Sequence, residues 1–143
     1  IQGGSGMNRF IIATHSTLAS GFWNALKFFS QDIDNVEYLN CYVETNEVEK
    51  ELRERLEKYP DDNLIVLTDI AGGSVNQTAS KLMREYSFHL ITGINLGLLL
   101  ELVFTGDEIN DEMIAASVSQ AQSQMIYMNR AAAAEADDDS DDL

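Results

Sequence analysis

The chain has 143 residues and a formal net charge of −15, from 24 acidic and nine basic side chains. Its length fits a single domain of common size. The acidity argues against nucleic acid and anionic membrane surfaces as partners, because both present negative charge to a protein. The negative charge could attract a basic protein partner, or it could serve only to keep the protein soluble.

The two ends of the chain differ in composition from its middle. Residues 1–6 end in Gly-Gly-Ser-Gly and resemble a tag or cloning linker. Residues 131–143 contain six acidic residues, no basic ones and one large apolar side chain. This composition predicts a disordered acidic tail. One domain is therefore expected at residues 7–130.

The single cysteine and the lengths of the apolar runs bear on location. Cys41 has no second cysteine to pair with and lies in an apolar run, so we expect a buried free thiol in a reducing compartment. The longest apolar stretch, at residues 96–104, is far shorter than the ~20 residues of a membrane span. With no signal peptide recognised before Met7, we predict a cytoplasmic protein that does not insert into a membrane.

Apolar runs and helical periodicity predict strands that alternate with helices. We expect strands at residues 10–14, 36–43, 64–68 and 88–92, and helices at 17–30, 46–59, 75–86, 96–104 and from about 111. Asn46 and Asn95 are predicted helix caps. Short apolar runs without polar alternation are typical of strands buried on both faces. The pattern predicts a three-layer α/β fold, in which helices cover both faces of a mostly parallel four-stranded sheet.

Residues 125–129 follow the last predicted helix and include three large apolar side chains and a tyrosine. Their periodicity is compatible with an extension of that helix and with a short strand at the edge of the sheet. The residues themselves leave both alternatives open.

Polar residues follow the first and third predicted strands. Thr14, His15 and Ser16 end the first strand, and residues 69–74 follow the third. In parallel sheets, sites form at the carboxyl ends of strands where neighbouring connections diverge. If the two strands are neighbours, His15 and Asp69 face each other. Because a carboxylate on one imidazole nitrogen fixes the tautomer and frees the other as a nucleophile, the pair predicts phosphohistidine chemistry.

The segment that follows Asp69 provides candidate phosphate ligands. Gly72, Gly73 and Ser74 lead into a predicted helix, whose first N–H groups and positive dipole end attract anions. The Ser74 and Thr14 hydroxyls are further candidate donors to phosphoryl oxygens. Taken singly, a histidine after a strand is more often structural, and the glycine segment fits a turn with Ser74 as helix cap as well as it fits a phosphate-binding loop. Their joint placement at two strand ends favours a functional site. His89 lies inside a predicted strand and has no such neighbouring groups, so we expect it to be structural.

Other chemistries lack their motifs. The sequence has no phosphate-binding GxxxxGK[ST] loop and no GxGxxG after the first strand, so neither nucleotide hydrolysis nor dinucleotide binding is expected. One cysteine and two separated histidines predict no metal site. A serine nucleophile would lack the usual GxSxG elbow. No cofactor is predicted.

Three segments resemble the IIA domain of the mannose family of sugar phosphotransferase systems. They are Phe-Ile-Ile-Ala-Thr-His ending at His15, Leu-Thr-Asp-Ile-Ala-Gly-Gly-Ser ending at Ser74, and Ile-Thr-Gly-Ile-Asn-Leu ending at Leu96. The resemblance covers residues 7–130. It implies that His15 takes phosphate from the carrier HPr, with Asp69 as its partner and Ser74 as a phosphate ligand. A IIB protein or domain would then receive the phosphate and phosphorylate incoming sugar.

The same resemblance has implications for assembly. It implies a homodimer whose subunits exchange a C-terminal antiparallel strand, at residues 125–129 here, and association with membrane subunits IIC and IID through IIB. Ser16, a further candidate phosphate ligand, stands where a glycine often follows the histidine. Val75 stands where some members have proline.

Two alternative functions share this fold. One is the phosphocarrier subunit of dihydroxyacetone kinase, which also carries a histidine after its first strand but as a rule lacks the Gly-Gly-Ser segment. The other is a regulatory module that senses phosphorylation state without itself being phosphorylated.

Overall fold

The computed structural model describes residues 6–141, with side chains described as far as residue 136. The strands are β1 (Asn8–His15), β2 (Val36–Cys41), β3 (Asn63–Thr68) and β4 (His89–Thr92). The helices are α1 (Leu18–Phe29), α2 (Val48–Lys58), α3 (Ser74–Leu82), α4 (Leu96–Val103), α5 (Asp111–Gln122) and α6 (Met128–Asp141). The predicted linker at residues 1–6 lies, except for Gly6, outside the described residues.

The four strands form one parallel sheet in the order β2-β1-β3-β4. β1 lies between β2 and β3, so that Ala13 is paired with Leu39 on one side and with Thr68 on the other. The predicted α/β class with a parallel four-stranded sheet is confirmed.

Hydrophobic clusters cover both faces of the sheet. Helices α1, α4 and α5 pack on one face against strand residues such as Phe10 and Ile12. Helices α2 and α3 pack on the other face against Ile11 and Ala13. Successive side chains of a strand point to opposite faces, so β1 buries both sets, and this explains its continuous apolar sequence.

The topology places a switch point between β1 and β3. The chain leaves β1 into α1 on one face and leaves β3 into α3 on the opposite face. The connections therefore diverge between two adjacent strands and leave an accessible edge at their carboxyl ends. His15 ends β1 at this edge, and Asp69 follows β3.

One predicted helix cap is confirmed and one is wrong. The Asn95 side chain accepts a hydrogen bond of 2.9 Å from the Leu98 amide at the start of α4. Helix α2 instead begins after Glu47, which makes no side-chain capping bond. The Thr45 hydroxyl accepts from the Glu47 amide at 2.9 Å, so a local turn replaces the capping box predicted at Asn46.

The strand predicted at residues 125–129 is not present. Residues 125–127 have no regular secondary structure, and Met128 begins α6. Met125 is 93% exposed and Tyr127 is 68% exposed. A strand must pair with a neighbouring strand to satisfy its backbone, whereas a helix does so within itself. In the single chain these residues pair with no strand.

The acidic tail predicted to be disordered from residue 131 is helical as far as Asp141. Four consecutive alanines near its start explain this difference, because alanine has the highest helix propensity. Residues 132–136 are exposed, so local propensity supports this helix rather than packing. Residues 142–143 lie outside the described residues, and the domain boundary at residue 130 stays a prediction.

Candidate active site

His15 and Asp69 meet at the carboxyl ends of β1 and β3. The Asp69 Oδ2 atom accepts a hydrogen bond of 3.0 Å from the main-chain N–H of His15. It also lies 3.1 Å from His15 Nδ1, and Oδ1 lies 3.3 Å from the same nitrogen. The carboxylate therefore binds both the backbone and the ring of the histidine, as the strand order predicts.

This contact defines which ring nitrogen is free. An ionised carboxylate can only accept hydrogen bonds, so Nδ1 carries the proton and Nε2 carries the lone pair. The Asp69 side chain is 6% exposed, whereas that of His15 is 38% exposed. The orienting carboxylate is thus shielded from water, while the histidine side chain remains accessible.

The glycine segment shapes the approach to the histidine ring. Gly72 has a φ of +78°, a left-handed conformation that glycine adopts without strain. A Cβ added to Gly73 would lie 3.3 Å from His15 Cε1 and 3.2 Å from the Ile70 carbonyl oxygen. The lack of a side chain at residue 73 therefore lets the loop pack against the imidazole.

Helix α3 starts beside the ring. Gly73 is its N-cap, and the Gln77 amide donates the first helical bond to the Gly73 carbonyl. The amides of residues 74–76 precede that bond and have no partner within the helix. With the positive end of the helix dipole, these amides form a site suited to an anion.

Ser74 lies on the free side of the histidine. Its Oγ atom is 3.4 Å from His15 Nε2 and 2.6 Å from the Tyr42 hydroxyl oxygen. The serine is exposed. The predicted phosphate ligand therefore lies beside the nitrogen that is predicted to carry the phosphate.

The other two predicted hydroxyl ligands, Thr14 and Ser16, differ in accessibility. Thr14 is fully buried, and its Oγ1 accepts a hydrogen bond of 2.7 Å from the Ala19 amide at the start of α1. The alternation of β1 directs Thr14 inward, so the structure does not bring its hydroxyl to Nε2. Ser16 is exposed with a φ of 55°, and its amide donates to the Cys41 carbonyl at 2.9 Å. Its left-handed backbone agrees with the glycine often found there in related sequences.

Tyr42 was not predicted from the sequence as a site residue. Its ring centroid lies 5.5 Å from that of His15, with the planes tilted by 38°. The predicted second strand extended to residue 43, which placed Tyr42 inside the sheet. In the structure β2 ends at Cys41. The carboxyl end of β2 borders the same edge, so inspection of the loop after every strand would have found this residue.

Cys41 lies beside His15 in the sheet, where the two residues are paired across β1 and β2. The thiol is fully buried and free, which confirms that prediction. Burial is the main cause, and the nearby Asp69 carboxylate a smaller one, of a thiol pKa raised from 9.0 to about 11. The thiol therefore stays protonated at neutral pH and does not compete with His15 as a nucleophile.

The surface around the histidine is open and partly apolar. Leu18 begins α1, whereas Val43 and Ile70 lie in the loops after β2 and β3; these three side chains are 46%, 60% and 57% exposed. Concavities of about 520 and 480 Å³ open instead at the opposite edge, where His89 begins β4. There His89 Nδ1 lies 3.4 Å from an Asp111 carboxylate oxygen.

No group of three or more His, Cys, Asp and Glu side chains among the described residues is arranged to hold a metal ion. Within residues 6–141, no helix has both the length and the apolar composition needed to cross a bilayer.

Comparison with known proteins identifies the family of the chain. Residues 9–122 match the sequence model of the family described as PTS system fructose IIA component. The chain belongs to this family. It is a IIA component of a sugar phosphotransferase system (PTS) of the mannose type. No curated protein matches the chain significantly.

Solved structures agree with this membership. A PTS permease of Klebsiella pneumoniae is 29% identical, with a TM-score of 0.79, over 92% of this chain and 96% of that chain. The PTS IIA protein associated with the fucose utilization operon of Streptococcus pneumoniae is 28% identical, with a TM-score of 0.73, over 87% and 96% of the two chains. The EIIA component of Streptococcus agalactiae, at 22% identity and a TM-score of 0.75 over 87% and 99%, shares the fold.

Proposed function

We propose that this IIA protein is a cytoplasmic phosphoryl carrier, in which His15 accepts phosphate from phosphorylated HPr and passes it to a IIB protein or domain. One observation carries the proposal. Asp69 lies 3.1 Å from His15 Nδ1, which leaves Nε2 as the nitrogen with the lone pair, and the His15 side chain is 38% exposed. This arrangement supplies a neutral, oriented nitrogen nucleophile at an accessible surface.

The transfer has a simple electron balance. The Nε2 lone pair attacks phosphorus as the N–P bond of phosphorylated HPr breaks, and the HPr imidazole keeps the bonding electrons. The His15 ring becomes cationic and retains its Nδ1 proton against the Asp69 carboxylate, which stabilises that charge. Transfer to IIB repeats the step with His15 as the leaving group.

The elements beside Nε2 are suited to the transferred group. Amides of residues 74–76 and the Ser74 hydroxyl can donate to the phosphoryl oxygens, and the N-terminal dipole of α3 favours their negative charge. Thr14 has no place in this set because its hydroxyl is buried against Ala19. We retain Asp69 as the orienting group. The proposed phosphate-binding residues are Gly72, Gly73, Ser74 and Ser16.

The open apolar rim supports a phosphate donor that is itself a protein. A small-molecule site is usually a concave pocket that encloses its ligand, whereas His15 lies on an accessible edge bordered by Leu18, Val43 and Ile70. Exposed apolar groups around a charged centre are typical of a protein contact. The acidic chain would favour a basic partner surface.

We also propose that the protein is a homodimer that reaches the membrane subunits IIC and IID only through IIB. Met125, Ile126, Tyr127 and Met128 are 93%, 56%, 68% and 64% exposed. A partner subunit would bury these side chains if residues 125–129 paired with its sheet. Molar mass from light scattering during gel filtration would distinguish a dimer from a monomer.

Labelling with radioactive phosphoenolpyruvate, enzyme I and HPr tests the carrier function. We expect one acid-labile, base-stable phosphate per chain, and subsequent release to IIB. A regulatory module would remain unlabelled. A dihydroxyacetone kinase phosphocarrier would be labelled, but would deliver its phosphate to the nucleotide-binding subunit of that kinase and not to IIB.

Two histidine variants locate the label. His15→Ala should abolish labelling with an unchanged far-ultraviolet circular dichroism spectrum. His89→Ala is the matched control, because His89 lies at the opposite edge of the sheet, and it should be labelled normally. Undiminished label in His15→Ala, or label on Ser74, would show that the assignment is wrong.

A further inference from the structure

Tyr42 reaches into the candidate site from a third strand end. Its hydroxyl oxygen is 2.6 Å from Ser74 Oγ, which in turn is 3.4 Å from His15 Nε2. Its ring also lies against the imidazole, 5.5 Å away between centroids. The Tyr42 ring therefore lies beside the imidazole, and its hydroxyl contacts the serine that lies next to the free nitrogen of His15.

The backbone of Tyr42 is strained in the conformation that places it there. Its φ is +70°, a left-handed value that is an outlier for a large aromatic residue. Such a conformation is unfavourable for a side chain of this size and persists only where the surrounding structure enforces it. Outliers of this kind concentrate at functional sites.

The surrounding loop enforces this conformation by hydrogen bonds. The Tyr42 amide donates to the Thr45 carbonyl at 2.7 Å, and the Glu44 amide donates to the Asn40 carbonyl at 3.1 Å. Asn40 is 5% exposed, and its side chain binds the Glu44 carboxylate and the start of α1 at Ser20. The turn after β2 is thus anchored to the turn after β1.

The donors and acceptors of this contact can be assigned. Asp69 fixes the proton on Nδ1, so Nε2 can only accept a hydrogen bond. Both contacts are satisfied together when Ser74 donates to Nε2 and its oxygen accepts from Tyr42. In the unphosphorylated protein the Tyr42 hydroxyl therefore donates to Ser74, and the Ser74 hydroxyl occupies the lone pair that attacks phosphorus.

We propose that Tyr42 is a further phosphoryl ligand of this site, whose hydroxyl donates to Ser74 before transfer and to a phosphoryl oxygen once Nε2 carries phosphate. The inference rests on the proposed function of His15. When phosphorus binds Nε2, the Ser74 hydroxyl loses its acceptor. Both hydroxyls are then adjacent to the anionic oxygens, which are stronger acceptors than a neutral serine.

Tyr42→Phe removes the hydroxyl and preserves the ring and the strained backbone. Rapid-quench measurement of transfer from phosphorylated HPr should show a rate reduced about tenfold, as expected for one lost hydrogen bond to a charged group. The matched control is Tyr38→Phe in β2, the strand that precedes Tyr42, since the Tyr38 ring packs against Trp23. It should transfer at the rate of the unmodified protein.

A ³¹P titration distinguishes a ligand from a residue that only supports the loop. A donor to the phosphoryl oxygens favours their dianion, so Tyr42→Phe should raise the pKa of the phosphoryl group on His15 and shift its resonance, whereas Tyr38→Phe should do neither. An unchanged titration in Tyr42→Phe, with or without slower transfer, would overturn the proposal.

The experiment also separates this inference from the function on which it rests. Proteins for the titration are phosphorylated chemically with phosphoramidate in a His89→Ala background, so that HPr is not required. If phosphorylated HPr fails to label His15, the carrier function is wrong. The phosphoryl pKa of the chemically modified proteins still shows whether Tyr42 binds that group.

Discussion

Asp69 holds His15 by two groups at once, accepting from its main-chain N–H at 3.0 Å and from Nδ1 at 3.1 Å. The first bond joins the end of β1 to the loop after β3, and the second fixes the tautomer of the ring. A single carboxylate thus determines both where the histidine lies and which nitrogen is free. Its charge and its shape can be tested separately.

Asp69→Asn preserves the shape of the side chain and removes its charge. We expect phosphoryl transfer to slow, because a neutral amide stabilises the imidazolium less and its NH2 group opposes the Nδ1 proton. Analogous changes in hydrolase triads cost up to ~10⁴ in rate, which is a ceiling here. Rapid-quench kinetics measure the effect, with circular dichroism as the test of folding. Transfer at the unmodified rate would show that Asp69 only shapes the loop.

Gly73→Ala should impair transfer by displacing the histidine. The new methyl group would lie 3.3 Å from His15 Cε1 and 3.2 Å from the Ile70 carbonyl oxygen. The Ile70 carbonyl belongs to the main chain and cannot move easily, so the His15 imidazole must shift. Histidine NMR signals and transfer rates should both change.

Gly21→Ala is the matched control for that variant. A Cβ at Gly21, inside α1, meets no atom within 4 Å. Because alanine favours helices by about 1 kcal/mol over glycine, this variant should raise the melting temperature and leave transfer unchanged. Equal transfer by the two variants would contradict the close packing at Gly73.

The strain at Tyr42 predicts a reversed order of stability for two small residues. At most positions alanine is at least as stable as glycine, but a φ of +70° penalises any side chain. Tyr42→Gly should therefore be more stable than Tyr42→Ala, by about 1 kcal/mol, in urea unfolding. Both variants lose the ring, so the comparison isolates the backbone. If alanine were the more stable, the left-handed conformation would not hold in solution.

Cys41 should resist alkylation in the folded protein. Burial raises its thiol pKa to about 11, and a raised pKa favours the protonated, unreactive form below that pH. At pH 8 the native protein should react with a thiol reagent far more slowly than the urea-denatured protein. Reaction at the denatured rate would mean that the β1–β2 core opens readily.

Removal of residues 135–143 should leave the melting temperature and dimerisation nearly unchanged. Residues 132–136 of α6 are exposed, so helix formation there contributes little packing energy. Truncation before Met125 should weaken dimerisation by removing the segment proposed to pair with the partner. Only the salt dependence of transfer should respond to the shorter deletion, since charge effects of the tail fall off within ~10 Å at 0.1 M salt. If removal of residues 135–143 lowered the melting temperature by several degrees, the tail would have to be packed as part of the domain.

The sequence by itself predicted the fold class and the central pair of the site. Apolar runs identified every strand of the sheet, and the helical periods identified the helices that cover it. Because parallel strands share one carboxyl edge, a histidine after the first strand and a carboxylate after the third predicted a contact at a known place. The 3.1 Å contact of His15 with Asp69 confirms it.

Only the tertiary structure decided which neighbouring side chains join that pair. Thr14 and Tyr42 both stand within two residues of a strand end. The pleat of β1 turns the Thr14 side chain into the core. The left-handed backbone of Tyr42 itself, directly after β2, directs the Tyr42 side chain towards Ser74. Likewise, residues 125–129 carry a pattern that fits a strand, and the single chain pairs them with none. Side-chain direction at a strand end depends on register and on one loop dihedral, and strand formation depends on a partner, so these outcomes follow from the packed structure and not from local pattern.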